Sequence, residues 1–411
     1  MKQPSWICCQ LGAREHYAVP RALHSRGALA KLVTDFWCPP GSRYFRLLPS
    51  SLKHDLRGRY HSDLTNTDVE GLNFSALTFE LISRVRGQSG WRQIMARNRW
   101  FQRRVVAYLS SSRLSVVGYQ PIVFAYSYAA LEILRHARKR GWRTVLGQID
   151  PGPVEEKIVA EEVAREPELG ATWRPAPQAY WDLWREECDL ADRIVVNSKW
   201  SRTALIQGGV PSEKLSVIPL AYEQPAKTKA FERRYPDRFD EQRPLRVLFL
   251  GQINLRKGIA RLLKAIRLLE NQPIEFQLVG PVQISIPHDM QNNPRLRWFG
   301  PVSRSQVETF YRNADVLIFP TLSDGFGLTQ LEAQAWSLPI IASRFCGDVV
   351  CDGKNGLVLS DSSAESIASV LRSCLHEPSR LRAFAKNAVT TERFGLNLVG
   401  KDLLGLFDST V

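Results

Sequence analysis

The run PTLSDGFGLTQLEAQAWSLPIIAS, Pro320 to Ser343, sets Asp324 and Glu332 eight positions apart around Gly325 and Gly327. Carboxylates accept hydrogen bonds at several lone pairs, so two of them beside a glycine-rich bend suit a ligand rich in hydroxyls. Upstream, ADVLIFP is apolar and β-branched like a buried strand, whereas LTQLEAQAW has helical propensity, with Leu328, Leu331 and Ala335 at inward spacing. The glycines therefore belong to a strand-to-helix turn. Gly325 and Gly327 let backbone approach a ligand closely, and the N–H groups of Gly327, Leu328 and Thr329 at the helix start suit a phosphate. Glu332, about one turn in, is within reach of hydroxyls on the same ligand. A nucleotide sugar carries both features. The plain alternative is a helix start with a solvated acid, an arrangement worth only a few tenths to about 1 kcal/mol.

Such a turn must be held by a sheet, and strand-like runs alternate with helix-like runs along most of the 411 residues, the pattern of parallel sheets covered by helices. SWICCQL, ALAKLVTD, PIVFAYS, WRTVLGQID and DRIVVNS read as strands of a first domain, residues 1–222. The polar, proline-punctuated stretch from Tyr222 to Pro244 has no apolar periodicity and reads as a linker, residues 223–244. Alternation restarts with LRVLFLGQI and continues through IEFQLVG, LRWFG, ADVLIFP and LPIIAS, giving a second domain over residues 245–411. Its last stretch, from Glu392 to Val411, is helix-like and able to pack on either domain. Two such α/β domains imply a cleft between them, with ligands at the carboxyl ends of the strands.

The Asp324–Glu332 run resembles the signature of the retaining glycosyltransferases of family 4: an acid, seven residues and a Glu around GFG and LEA. The resemblance implies an α/β fold of the two-Rossmann GT-B type. It also implies a hexosyltransferase-like activity that moves a sugar from a nucleoside-diphosphate sugar to an acceptor hydroxyl with retention. By this likeness Asp324 contacts hydroxyls of the donor sugar, Glu332 contacts the ribose, and Gly325, Phe326, Gly327 and Leu328 line the donor site. The sequence departs from the pattern with Asp324 for the commoner Glu and Ser337 for a common Gly. FLGQINLRKGIARLL is similar to the family's second motif and puts Lys257 at the diphosphate, where a compact cation suits a leaving anion. Gln252 stands where many relatives have Arg, and Arg256 is a candidate to supply that charge. The backbone near Val302 falls where the base is bound, and Gly12 where relatives place a glycine loop beneath the phosphates. Relatives often have a His near the reacting carbon; here VLGQIDPGPVEE has none, which leaves Asp150, Gln148 and His16 as candidates. Lys257, Asp324 and Asp150 are the expected catalytic residues.

The net charge of +14 asks for a polyanionic partner without naming it. From Arg84 to Arg113 there are eight arginines and no acid, interleaved with aromatic and aliphatic residues, a composition that fits an anionic membrane and a lipid-linked or polysaccharide acceptor. The plain alternative is a domain helix with a solvated basic face. Seven cysteines, odd in number and without a C-x-x-C pair, signal neither disulfides nor a zinc site. No run approaches the roughly 18 apolar residues of a membrane span, and the N-terminal apolar run is too short for a signal peptide, so a cytoplasmic protein is expected, peripheral at most. No metal or other cofactor is expected, because Lys257 and helix N-termini can balance a diphosphate and no D-x-D cluster accompanies the phosphate loop. Two other functions fit parts of the sequence: a nucleotide-sugar epimerase on the same architecture, and a basic nucleic-acid-binding protein, although no nucleic-acid reading module is present.

Overall fold

A computed structural model of the chain describes residues 5–41, 58–111, 121–170, 172–388 and 391–408. Two parallel sheets form two α/β lobes, the expected fold class. The first contains β1 (Trp6–Gln10), β2 (Leu29–Thr34), β3 (Val69–Gly71), β4 (Ile122–Tyr126), β5 (Arg143–Gly147), β6 (Arg193–Val196) and β7 (Leu215–Val217), ordered β3-β2-β1-β4-β5-β6-β7. The second contains β8 (Leu245–Leu250), β9 (Ile274–Val279), β10 (Leu296–Gly300), β11 (Val316–Phe319), β12 (Ile340–Ala342) and β13 (Gly356–Val358), ordered β10-β9-β8-β11-β12-β13.

Strand periodicity explains why each sheet is covered on both faces. Along β1, Ile7 and Cys9 join one core with Phe101, Val105 and Ile133, while Trp6 and Cys8 join the opposite core with Leu23 and Leu32. Val247 and Phe249 of β8 pack on one face of the second sheet and Leu248 on the other. Successive side chains point to opposite faces, so strands apolar at every position need a helical layer on each side. The sequence reading missed β3, β7 and β13, each only three residues long. β12 is as short but apolar throughout, whereas these three are broken by Glu70, Ser216 and Gly356.

The stretch read as a linker packs on the second lobe. Tyr235 and Phe239 are buried in its core, and Arg233 donates to the carbonyls of Tyr311, Trp336 and Ser337 at 2.6, 3.0 and 3.0 Å. The Leu396–Leu404 helix returns to the first lobe, where Val399 and Leu403 join Leu23 in the core and Arg26 donates to the Asn397 carbonyl at 2.9 Å. Residues 409–411 of that terminal stretch lie outside the described residues.

The arginine-rich stretch spans two helices. It is the end of one helix, Asn73–Val85, followed by a turn and a second helix, Gly90–Ser111; Ser112 and Arg113 lie outside the described residues. Phe101, Val105 and Leu109 are buried in the first lobe, so the apolar face of the second helix's C-terminal half is used in folding. Among the described residues no helix is long and apolar enough to cross a membrane. Six of the seven cysteines are buried.

Candidate active site

The turn after β11 begins in a strand whose four residues are all buried and passes into the Thr329–Ala335 helix. Two glycines are required there for different reasons. A Cβ on Gly325 would lie 2.5 Å from the Ile149 carbonyl oxygen of the first lobe, so only glycine lets the lobes meet at this point. Gly327 has φ of +83°, where L side chains are strained, and a Cβ would also strike the Phe319 ring. The lobes are joined beside them: Trp200 donates from its indole N–H to Ser323 Oγ at 3.0 Å, and Ser201 donates to the Gly325 carbonyl at 3.2 Å. Leu328 caps the helix without a side-chain hydrogen bond.

Asp324 forms an ion pair with Lys257, and its other oxygen lies 3.7 Å from Arg256 Nη1. Burial pushes the Asp324 carboxyl up, but Lys257 and Arg256 together outweigh it and hold the group below the usual carboxylate range. Lys257 comes from the 3-10 turn after β8, where the Asn254 side chain accepts from the Lys257 backbone N–H at 3.1 Å. Its ammonium also sits 4.9 Å from the centre of the Phe319 ring, the ring that backs Gly327. Arg256 donates to the Ser323 carbonyl at 3.3 Å and approaches Glu155 of the first lobe at 3.7 Å. Burial pushes Glu155 up to about 8 against the opposing pull of Arg256.

Glu332, one turn into the helix, accepts a hydrogen bond from the Tyr311 hydroxyl at 2.7 Å. It lines an interlobe cavity of about 480 Å³ together with Leu328, Arg304 and Tyr311 of the second lobe and Glu15 and His16 of the first. Arg304 donates across the cleft to His16 Nε2 at 2.6 Å, which requires the neutral Nδ1–H form of His16. Burial and the Arg304 charge both lower the His16 pKa, in agreement. Glu15, His16 and Tyr17 all have positive φ, at 51°, 51° and 61°, a strained run that turns the chain after β1 toward the second lobe. Glu15 is pushed up to about 7 by burial, with Arg14 opposing. A second cavity of about 200 Å³ shares Glu15 and is lined also by Arg14, Gln148 and Asn197.

The structure thus brings together Lys257, Arg256, Asp324, Gly325, Phe326 and Gly327 around one bend, and it places Leu328 and Glu332 on the adjoining cleft. Other residues expected from the sequence are placed differently. Gly12 has its N–H engaged by Asp35 Oδ1 at 2.8 Å, a carboxylate also held by Arg59 at 3.1 Å. Gln252 is exposed, 3.4 Å from Asn254, and Val302 packs beside the core formed by Leu248 and Trp336. None of these three lines the 480 Å³ cavity. Asp150 accepts from the Tyr128 hydroxyl at 2.5 Å, the Gly152 N–H at 2.9 Å and Gln148 at 3.1 Å. Burial raises its pKa despite those bonds. Among the described residues no cluster of three or more His, Cys, Asp or Glu could hold a metal ion.

Sequence reasoning missed Glu15, Arg304, Tyr311 and Glu155. Arg304 lies inside a Ser-x-x-Gln capping box, Ser303 to Gln306, a signal that places a helix start but not the cleft it borders. Glu155 lies in the first turn of the Pro153–Arg165 helix, and only the contact between lobes gives it a role.

Residues 233–391 match the family model of glycosyl transferases group 1. D-inositol 3-phosphate glycosyltransferase 2 of Catenulispora acidiphila is 35% identical over 50% of this chain and 53% of its own length. The chain spans about half the length of the curated relatives it matches. Among solved structures, sucrose-phosphate synthase of Thermosynechococcus elongatus superposes with a TM-score of 0.64 at 18% identity, covering 99% of this chain and 98% of that one. Anabaena HepE in complex with UDP-glucose superposes with a TM-score of 0.60 at 14% identity over 100% of both chains. The family match falls on the second lobe, and the whole chain has the GT-B fold.

Proposed function

We propose that this protein is a retaining glycosyltransferase of the family 4 type, which moves a sugar from a nucleoside-diphosphate sugar to an acceptor hydroxyl in polysaccharide, glycolipid or other glycoconjugate synthesis. One observation carries the reading. Lys257 and Glu332 flank the same Gly325–Thr329 bend, the cation paired with Asp324 at its start and the acid one turn beyond it on the interlobe cleft. A diphosphate at the bend would meet Lys257, Arg256 and the helix N-terminus. The ribose would then reach Glu332, and the sugar would reach Asp324. The fold neighbour that holds UDP-glucose supports this class of donor.

In the reaction the bond between the anomeric carbon and the diphosphate oxygen breaks, and a bond from that carbon to the acceptor oxygen forms on the same face. The acceptor proton passes to the departing phosphate oxygen. Negative charge grows on the diphosphate as it leaves, so fixed cations close to it lower the barrier more than they strengthen donor binding. Lys257 and Arg256 supply that charge, and the proposal includes no divalent cation. Asp150, held by Tyr128 and Gly152, orients the acceptor side. An odd number of cysteines without a C-x-x-C pair, six of them buried, fits a reducing compartment and hence the cytoplasm.

The test is to incubate the protein with nucleoside-diphosphate sugars and candidate acceptors, following release of nucleoside diphosphate and the anomeric configuration of the product by NMR. Acceptor-dependent release with retained configuration supports the reading. An inverted product would refute retention, and interconversion of donor sugars without release would point to an epimerase.

A further inference from the structure

The Asn73–Val85 helix leaves an apolar face in water. Of the eleven exposed large apolar side chains among the described residues, Phe74, Leu77, Leu81, Ile82 and Val85 belong to this one 13-residue helix. Phe74, Leu81 and Val85 are 84%, 64% and 81% exposed. At about 100° per residue all five lie within roughly 80° of Phe74. The opposite face carries Ala76 and Ser83, both buried, and Phe79, which stacks on Trp100 of the neighbouring helix at 5.2 Å. The helix is therefore anchored by its back, and its apolar stripe, interrupted by Thr78, faces outward. Scattered exposed apolar residues are normal on a soluble surface; a stripe on one helix is not.

The charge around the stripe indicates what covers it. Arg84, Arg86 and Arg92 are exposed at its C-terminal end and on the first turn of the next helix. Glu80 is the one acid between Asn73 and Ser111, and it is paired with Arg97 at 2.8 Å. A 13-residue helix is about 20 Å long, so a stripe about 10 Å wide offers about 200 Å². A stable protein interface needs about 800 Å² per partner, and a second copy would set arginines against arginines. A bilayer has no such area requirement, because each apolar side chain partitions into it separately while the arginines meet anionic headgroups.

We propose that the outer face of the Asn73–Val85 helix docks on an anionic lipid bilayer, with Phe74, Leu77, Leu81 and Val85 inserted at the headgroup boundary and Arg84, Arg86 and Arg92 on lipid phosphates. The apolar anchor is thus the first helix of the arginine-rich region, not the buried face of the second.

The full chain would be sedimented with phosphatidylglycerol vesicles and with phosphatidylcholine vesicles at low and high salt. Binding to the anionic vesicles at low salt, weakened by salt and much lower on phosphatidylcholine, is expected. Replacing Phe74 and Leu81 together by Asp should cut vesicle binding by more than about tenfold without changing the thermal midpoint, since both side chains are exposed. Arg84→Gln, Arg86→Gln and Arg92→Gln should each cut it roughly fivefold, the equivalent of about 1 kcal/mol. Phe74→Trp should be quenched by brominated phosphatidylglycerol. Equal binding by the Asp variant, absence of quenching, or no vesicle binding at low salt would overturn the proposal. So would self-association, or capture of a DNA duplex, that the same Asp substitutions abolish. Vesicle binding requires no turnover, so its failure is separate from failure of the sugar-transfer reading.

Discussion

Removing the Lys257 charge tests how the site treats its leaving group. In the structure Lys257 and Arg256 face Asp324, and burial pushes the neighbouring Glu155 carboxyl up to about 8. Lys257→Ala removes one positive charge just where a diphosphate would gain negative charge. A unit charge about 5 Å away at an effective dielectric constant of about 20 interacts by about 3 kcal/mol. Loss of one preorganised partner of a developing anion typically costs about 2.7–4 kcal/mol. We therefore expect kcat to fall by about 10²–10³-fold, with KM for the donor changed only a few-fold, in initial-rate measurements of nucleoside diphosphate release. Stability should fall less than the roughly 3–5 kcal/mol of a broken buried pair, because Arg256 remains 3.7 Å from the orphaned Asp324. The pH dependence provides a second check. Asp324 is held below its ordinary range in the fold, so its stabilisation is present above the unfolded-state pKa of about 3.9 and is lost as pH falls through the lower folded value. The stability gap between wild type and Lys257→Ala should accordingly narrow at the lowest pH. A variant with wild-type kcat and only a raised KM would refute the role in departure of the diphosphate.

Three further outcomes follow from named contacts. Glu332→Gln should weaken donor affinity by about 10- to 100-fold in calorimetric titration, the worth of a hydrogen bond to a charged group at about 1.5–3 kcal/mol, with the fold intact by circular dichroism; unchanged affinity removes Glu332 from the site. Ser337 adopts φ of +51°, where a side chain costs about 1–2 kcal/mol, so Ser337→Gly should raise stability by about 0.5–1 kcal/mol in urea titration after the entropy cost of glycine. Glu155 takes up a proton on folding, because its pKa rises from 4.5 to about 8; wild-type stability should therefore decline between those pH values by up to about 1.4 kcal/mol per unit from this group, and Glu155→Gln should flatten that slope.

The second lobe was legible in the sequence because its chemistry is local. Asp324, Gly325, Gly327 and Glu332 lie within nine residues, the strand before them is apolar throughout, and the helix after them has regular inward spacing. The motif's departure at Ser337 could be read from the sequence, but the left-handed backbone it adopts required the coordinates. Contributions from the first lobe were harder to read: His16 was one of three candidates in the sequence, while Glu15 and Glu155 come to the cleft only when the lobes meet. Nothing in ordinary periodicity marks a contact across nearly three hundred residues, such as that of His16 with Arg304. The arginine-rich stretch shows a second limit. Composition identified a basic, aromatic surface, but which apolar residues face the core depends on the break between Val85 and Gly90 and on the stacking of Phe79 with Trp100.

The most direct test of the donor site is thermal or chemical denaturation of the wild type, Lys257→Ala and Glu332→Gln with a panel of nucleoside diphosphates and their sugars. At about a hundredfold its dissociation constant, the correct donor should stabilise the wild type by about 2.7 kcal/mol, and both the diphosphate and the ribose variants should lose part of that shift. No stabilisation of the wild type by any member of the panel, or an equal shift in all three proteins, would contradict the assignment of this bend as a nucleotide-sugar site.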